Sequence, residues 1–490
     1  MLFTSLEFFV FLPLALLLFA LLPPAKRWLW LLLASYAFYG AHQAGNLAYL
    51  GAVTLLVWGC GRLLARTSRA LARRLLLSAG LVLVIGSLIA FKFYDFIAGE
   101  LERLVSQTWG SDAAVSLPRL AVTAPVGYSF YAFSAVSYLI DTFARRLPGP
   151  QHIGHVAFYL AWFPKILAGP IERATTLLPQ LAAGLRADPG RLVLGLQLMG
   201  WGLIKKVVIA DNLAPIVDKS FGIAAFASPI DLLISVYFFA FQIYCDFSGY
   251  TDIAIGVSLL FGLQLMENFR RPYLAQSTAE FWGERWHISL GKWFRDYLYI
   301  PLGGSQCGPL RQYLNLMLVF IASGLWHAGL GYGVGWTFLV WGALNGAYQW
   351  AGLATRPFWK RVGEQLPRIR QSLPLAALRV LLTFHLIAIT WVFFRAKTLG
   401  DAWLILKKIG LNLAEMPSLL SRFPFSTDHY TAFALIALLM VIEIVDERRS
   451  IFQRLADAPV VLRWGLCYLA IFALLILGRW QAREFIYMQF

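Results

Sequence analysis

The sequence predicts an all-α, polytopic membrane protein, and three observations carry that expectation. Of the 490 residues, 59% are hydrophobic and only 14% charged, with a mean hydropathy of +0.65; soluble domains run near a quarter charged. Apolar stretches recur along the whole chain, several approaching the ~18–20 residues that cross a bilayer as a helix. No series of short alternating strands suggests a barrel, the other architecture that satisfies its backbone in lipid.

The apolar segments fall at residues 7–22, 46–61, 75–91, 192–204, 232–247, 312–326, 333–348, 375–394, 429–444 and 462–477. The first lacks a basic leader and carries Glu7 early, so it reads as a spanning helix rather than a signal peptide. Basic residues cluster at 62–74, 145–146, 270–311 and 356–379. The first of these alternate with weakly charged or acidic loops at 41–45 and 95–118. The positive-inside rule then puts the basic loops in the cytoplasm and the N-terminus outside. Lys205 and Lys206 do not fit that scheme, because they sit at one end of an apolar segment with Asp211 close behind. The formal net charge of +16 reads as topology-setting arginine and attraction to anionic lipid, not as a nucleic-acid surface. Cys60, Cys245, Cys307 and Cys467 are widely spaced, with no CxxC pair, so neither a disulfide framework nor a zinc site is indicated. The longer polar stretches read as ordinary loops, and residues 1–490 read as a single membrane-embedded domain.

The middle third is unlike the ends. Between Gly127 and Gly346 the apolar segments carry Pro, Gly, Asp, Glu and His. Ala161-Trp-Phe-Pro-Lys-Ile-Leu-Ala-Gly-Pro-Ile-Glu-Arg173 holds two prolines and a glycine, which predicts a broken or re-entrant helix covered by protein or water. Asp246 and Asp252 bracket Phe-Ser-Gly-Tyr-Thr. Asp246, Ser248 and Thr251 are placed to cap a second helix there, with Gly249 allowing the turn.

Two histidines follow tryptophans in this region. Residues 281–300 form an amphipathic pattern on a 3.6-residue repeat, with Trp282, Trp286, Ser289, Trp293 and Tyr297 in one stripe. Glu284, Arg285, Lys292, Arg295 and Asp296 gather away from it, and His287 falls on the apolar side. This predicts one continuous helix along the membrane interface, either as an anchor or as the carrier of a functional histidine. His327 ends an almost wholly apolar run and shares a helical face with Tyr313, Leu316, Phe320, Ser323 and Gly324. A titratable ring at that depth faces protein or a watery cavity, either as helix-packing glue or as a site of chemistry. The small Ser323 and Gly324 leave room beside it for a helix or a substrate. The glycine-rich stretch after Ala328 ends the helix.

A neutral imidazole keeps an acceptor lone pair at neutral pH and suits a general base, which takes a hydroxyl proton while the oxygen attacks a carbonyl. A narrow cavity inside the membrane would hold a thioester and an alcohol together and exclude water. His385, His152, His155, His42 and His429 lack the broken polar surroundings of the two histidines above. No H-E-x-x-H, G-x-S-x-G or Walker A pattern is present.

Trp286-His-Ile-Ser-Leu290, Trp293-Phe-Arg-Asp-Tyr-Leu-Tyr-Ile-Pro-Leu-Gly-Gly304 and Gly324-Leu-Trp-His327 together resemble the membrane-bound O-acyltransferase family. Further segments resemble its bacterial alginate O-acetyltransferase branch. They are Phe163-Pro-Lys-Ile-Leu-Ala-Gly-Pro-Ile171, Lys206-Val-Val-Ile-Ala-Asp-Asn212, the run from Phe241 to Gly256, Trp391-Val-Phe-Phe-Arg-Ala396 and Phe485-Ile-Tyr-Met-Gln-Phe490. The chain departs from the pattern at Ala328, where relatives carry glycine, and at Leu344-Asn-Gly346, where many carry Leu-His-Gly.

The resemblance implies roughly eleven or more transmembrane helices, with broken and interfacial ones around a central funnel. It implies acyl transfer from a cytoplasmic thioester, with acetyl-CoA as the expected donor and no bound cofactor. The acceptor is then an exported polysaccharide such as alginate, reached through a periplasmic acetyltransferase partner across a bacterial inner membrane. It assigns the family's invariant histidine to His327 and its second histidine to His287. Around these, Trp286, Trp326, Ser323, Asp246, Ser248 and Arg295 are the expected substrate contacts, with Arg270, Arg271, Arg285, Lys292 and Arg295 available to the donor's phosphates. No metal ligand set is expected. Peptidoglycan or cellulose O-acetylation and teichoic-acid D-alanylation are the alternatives within the enzyme class, and a polysaccharide transporter or channel is the alternative outside it.

Overall fold

The computed structural model describes residues 1–41, 43–109, 116–119, 124–328, 335–366, 372–480 and 483–486, and every regular element among them is helical. The first half holds α1 (Leu6–Leu21), α2 (Pro24–Gly40), α3 (Gly45–Arg66), α4 (Ala70–Trp109), α5 (Tyr128–Phe143), α6 (Ile153–Ala161), α7 (Phe163–Ile166), α8 (Ala174–Ala182), α9 (Pro189–Leu203), α10 (Asp211–Gly222) and α11 (Pro229–Leu260). The second half holds α12 (Thr278–Glu280), α13 (Ile288–Phe294), α14 (Pro309–His327), α15 (Trp336–Gln365), α16 (Leu373–Arg395), α17 (Leu399–Leu411), α18 (Met416–Ser421), α19 (Thr427–Arg448), α20 (Ile451–Asp457) and α21 (Val460–Ile476). Proline opens α2, α9, α11 and α14, where its missing N–H and fixed φ cost nothing. Asp188 and Ser228 cap α9 and α11 by accepting the N–H of Arg191 and Asp231.

Each predicted apolar segment falls on a helix. Among the described residues, six helical runs are long and apolar enough to cross a membrane: Gly45–Arg66, Ala70–Trp109, Pro189–Gly222, Pro229–Leu260, Leu373–Arg395 and Thr427–Arg448. The expected count of roughly eleven or more is not reached by this measure. α1 and α21 are apolar but only 16 and 17 residues long. Large apolar side chains stand exposed on these helices, among them Leu6, Leu382, Val461 and Leu475, as a lipid-facing surface requires. The sequence reading missed α5, whose Tyr, Ser and Asp residues dilute its apolar pattern; nearly all of it is buried within protein.

α11 runs through the core, buried along most of its length, and it lies against α9 through two glycine pairs. A Cβ on Gly202 would stand 2.5 Å from the Gly249 carbonyl oxygen, and one on Gly256 2.5 Å from that of Gly195. Seven residues separate the glycines on each helix, so two turns of backbone meet at close range, as small residues permit in membranes. Here the expectation of a break at Asp246–Asp252 fails. α11 is continuous, Gly249 provides close approach rather than a turn, and Asp246 and Ser248 cap nothing. Asp246 instead accepts from Lys206 Nζ at 2.7 Å and from the backbone N–H of Ile486 at 2.7 Å. Lys206 also donates to Asp211 at 3.0 Å, and Lys205 pairs with Asp252 at 2.5 Å. The two lysines that did not fit the charge-topology scheme are thus internal counter-ions. The expected break at 161–173 is present: α6 stops at Ala161, α7 makes one turn, and the chain stays buried to Arg173 without regular structure after Ile166.

The expected continuous interfacial helix at 281–300 is not formed. Phe281–Arg285 makes a π turn, the chain bends at Trp286 and His287, α13 follows, and Arg295–Tyr299 makes a second π turn. Asn268 causes the bend. Its carbonyl accepts from Ile288 N at 2.9 Å, and its side-chain oxygen takes both the N–H and the hydroxyl of Ser289, at 3.1 and 2.9 Å. Arg270 N–H reaches Arg285 O at 2.9 Å on the other side of the turn. These long-range bonds outweigh the helical periodicity, and Trp286 ends up buried in protein rather than at a lipid interface.

Candidate active site

His327 is the last residue of α14. That helix can lie against α15 because Gly324 and Gly342 face the opposing backbone. A Cβ on Gly324 would be 2.4 Å from Phe338 O, and one on Gly342 2.5 Å from Phe320 O. Gly324 therefore admits a helix, while Ser323 beside it lines open space. The buried imidazole stands edge-on to Trp341 and near Phe394, each 5.3 Å away between ring centres.

His287 occupies the bend made by Asn268, with φ of +44°. A left-handed backbone costs a non-glycine residue about 1–2 kcal/mol, and strain of this kind concentrates where function fixes geometry. Ser289 locks the far side of the bend by accepting from Ile171 N at 3.0 Å, which ties it to the broken segment after α7. The His287 ring is buried and meets Phe247 edge-on at 4.7 Å.

Both histidines line one cavity of about 270 Å³. Trp286, Ser323 and Arg295 line it as well. The Trp326 ring neighbours both imidazoles, its centre 6.1 Å from that of His287 and 4.7 Å from that of His327. Six of the eight residues singled out in the sequence thus converge. Asp246 and Ser248 do not, since they belong to the packed core of α11. Among the cations expected near donor phosphates, only Lys292 and Arg295 line the cavity. Arg270 pairs with Glu267, Arg271 with Asp446 and Glu447, and Arg285 with Glu280 and Glu447.

Four contributors were not singled out as site residues in the sequence. Trp282 lines the cavity and donates its indole N–H to Asn345 Oδ1 at 2.9 Å, so the departure at Asn345 holds one wall. Trp341 and Trp391 stack behind it, 6.2 Å apart. Lys92, buried in the middle of α4, donates from Nζ to the Trp326 carbonyl at 2.7 Å. Its signal was available: it is the lone charge inside the apolar run Leu81-Val-Leu-Val-Ile-Gly-Ser-Leu-Ile-Ala-Phe-Lys-Phe93.

The remaining histidines lie elsewhere. His385 shares a bond with the Tyr237 hydroxyl at 3.0 Å, while His152 and His429 serve helix starts. His42 and the glycine-rich stretch at 329–334 lie outside the described residues. No cluster of metal-ligating side chains occurs among the described residues.

Known proteins share this arrangement of sequence. The model of the membrane-bound O-acyltransferase family matches residues 83–395, which include both histidines and Lys92. A probable alginate O-acetylase of Azotobacter vinelandii is 37% identical over 398 residues, covering 81% of this chain and 75% of that protein. A peptidoglycan O-acetyltransferase of Helicobacter pylori is 33% identical, covering 84% and 80%. A teichoic acid D-alanyltransferase of Bacillus subtilis is 23% identical over 56% of this chain and 69% of its own length. The helical membrane architecture and this similarity, over 81–84% of the chain for the first two relatives, together establish that the chain belongs to the membrane-bound O-acyltransferase family and is an O-acyltransferase.

Proposed function

We propose that this enzyme takes an acetyl group from a cytoplasmic thioester, acetyl-CoA being the expected donor, and passes it through a bacterial inner membrane for O-acetylation of an exported polysaccharide. The observation that carries this reading is the pair of histidines from separate elements on one small, ring-walled cavity. At about 270 Å³ the cavity lies just below the ~300–1,000 Å³ of drug-sized pockets, in keeping with a short acyl group rather than a long chain.

In this reading a ring nitrogen of His327 takes the proton of the acceptor hydroxyl as its oxygen attacks the thioester carbonyl. The C–O bond forms, the C–S bond breaks, and the departing thiolate recovers the proton from the imidazolium. His287, on the same cavity, orients the hydroxyl or donates to the developing oxyanion. Lys292 and Arg295, at the cavity wall, face the anionic part of the donor. Alginate is the favoured end acceptor because several relatives more than a third identical over most of the chain are probable alginate O-acetylases. The H. pylori relative makes peptidoglycan the second reading. A periplasmic acetyltransferase receives the group where the polymer itself does not reach the cavity.

The test is acetyl transfer from labelled acetyl-CoA by the purified protein in lipid. His327→Ala, at normal abundance, should lose about 10²–10⁴-fold in kcat, the range a general base supplies. Undiminished transfer would remove His327 from the mechanism, and labelling only from a carrier-protein thioester would replace the donor.

A further inference from the structure

Lys92 is the group near the site that the proposed chemistry leaves unused. It is 8% exposed, and no carboxylate pairs with it among the described residues. A buried ammonium without a counter-charge is expensive, so within a spanning helix it is a functional candidate where no ion pair accounts for it. Lys92 Nζ bonds to the carbonyl of Trp326, one residue before His327. That carbonyl lies in the last turn of α14, where main-chain oxygens have no helical partner. The neighbouring oxygens of Gly324 and Leu325 are taken by the N–H of Ala328, and α14 extends no further. A cation at a helix C-terminus also complements the helix dipole.

The same ammonium lies 5.7 Å from the centre of the Trp326 ring. That ring neighbours both His287 and His327 and is backed by Phe133 at 5.3 Å and Phe130 at 5.4 Å. Lys92 therefore holds both the backbone and the ring of the residue that neighbours the two histidines. The Trp326 indole N–H also reaches Ser129 O, at 3.4 Å.

We propose that Lys92 is a positioning residue for acyl transfer, fixing the last turn of α14 so that His327 faces the cavity at a set distance from His287. It touches no substrate and acts through Trp326. This rests on the reading of His327 as the base, so His327→Ala is measured beside it.

The experiment compares Lys92→Met, which keeps length and removes charge, with Lys92→Arg in the full-length protein in lipid. Lys92→Met should lower kcat about 10–100-fold, the range seen when supporting partners of reacting groups are lost. The KM for the donor should stay within about twofold, since uniform binding is untouched. Lys92→Arg, which restores a donor to the carbonyl, should recover most of the rate. Wild-type kcat in Lys92→Met overturns the proposal, as does a loss that merely follows the amount of folded protein and is not recovered by arginine. An active His327→Ala would defeat the base assignment and this proposal with it; an inactive His327→Ala beside a fully active Lys92→Met would defeat the positioning role alone.

Discussion

The aspartates packed around α11 are held by two buried lysines, whereas His327 at the end of α14 and His287 in the Asn268 bend face a cavity walled by rings. Lys206 holds Asp211 and Asp246, and Lys205 holds Asp252, in helices that meet through glycine. Around His327 and His287 stand the rings of Trp341, Phe394, Trp326 and Phe247. Both regions lie among spanning helices, so polarity at depth does not by itself mark a site. Compensation separates them: where each charge has its counter-ion the region is scaffold, and where polar rings border open space a substrate has somewhere to enter.

The comparison breaks most sharply at Lys206. Lys206→Met leaves two buried carboxylates without their shared cation, and losing one partner of a buried pair costs about 3–5 kcal/mol. The expected result is little folded protein and a large fall in unfolding temperature in detergent. His327→Gln should instead leave that temperature within a few degrees and remove activity. Equal stability loss in the two variants would erase the distinction between scaffold and site. Glycine offers the next contrast. Gly202→Ala forces a Cβ to 2.5 Å from the Gly249 oxygen, and overpacking of this kind costs about 1–3 kcal/mol. Gly283, at the cavity wall, has open space where its Cβ would point. Gly283→Leu should therefore spare stability while filling the cavity and lowering transfer. Thermal unfolding of both variants beside acetyl-transfer assays reads the two effects separately.

These contrasts follow what the sequence made legible. Hydropathy located the spanning helices, and the Pro-Gly content of 161–173 located the broken one, because both are properties of a single segment. The Trp-His pairs were visible as costly residues in apolar runs. Two kinds of information were out of reach. Asn268 bends the chain at His287 through bonds to residues some 20 positions away, and no local period registers that. Asp246 and Lys206 are 40 residues apart, so an ion pair across two helices looked like a cap on one. Lys92 stands between these cases. Its isolation was legible, but its partner, the carbonyl of Trp326, is 234 residues distant.

The smallest effect belongs to Asn345, where a wall of the cavity meets the scaffold. Its Oδ1 accepts from Trp282 Nε1, and its Nδ2 donates to Trp341 O at 2.8 Å. Asn345→Ala removes both bonds without disturbing an ion pair. Trp282 is only half-buried and borders the cavity, so water can take over its indole N–H and the cost stays near the net worth of a hydrogen bond, about 0.5–1.5 kcal/mol. The freed ring then swings at the wall rather than at the histidines. Donor KM should rise about two- to tenfold, as a binding loss of that size dictates, while kcat changes little. A kcat loss as large as that of Lys92→Met would mean that the wall tryptophans position the reacting groups themselves, and the boundary between scaffold and site would then run behind Asn345 rather than in front of it.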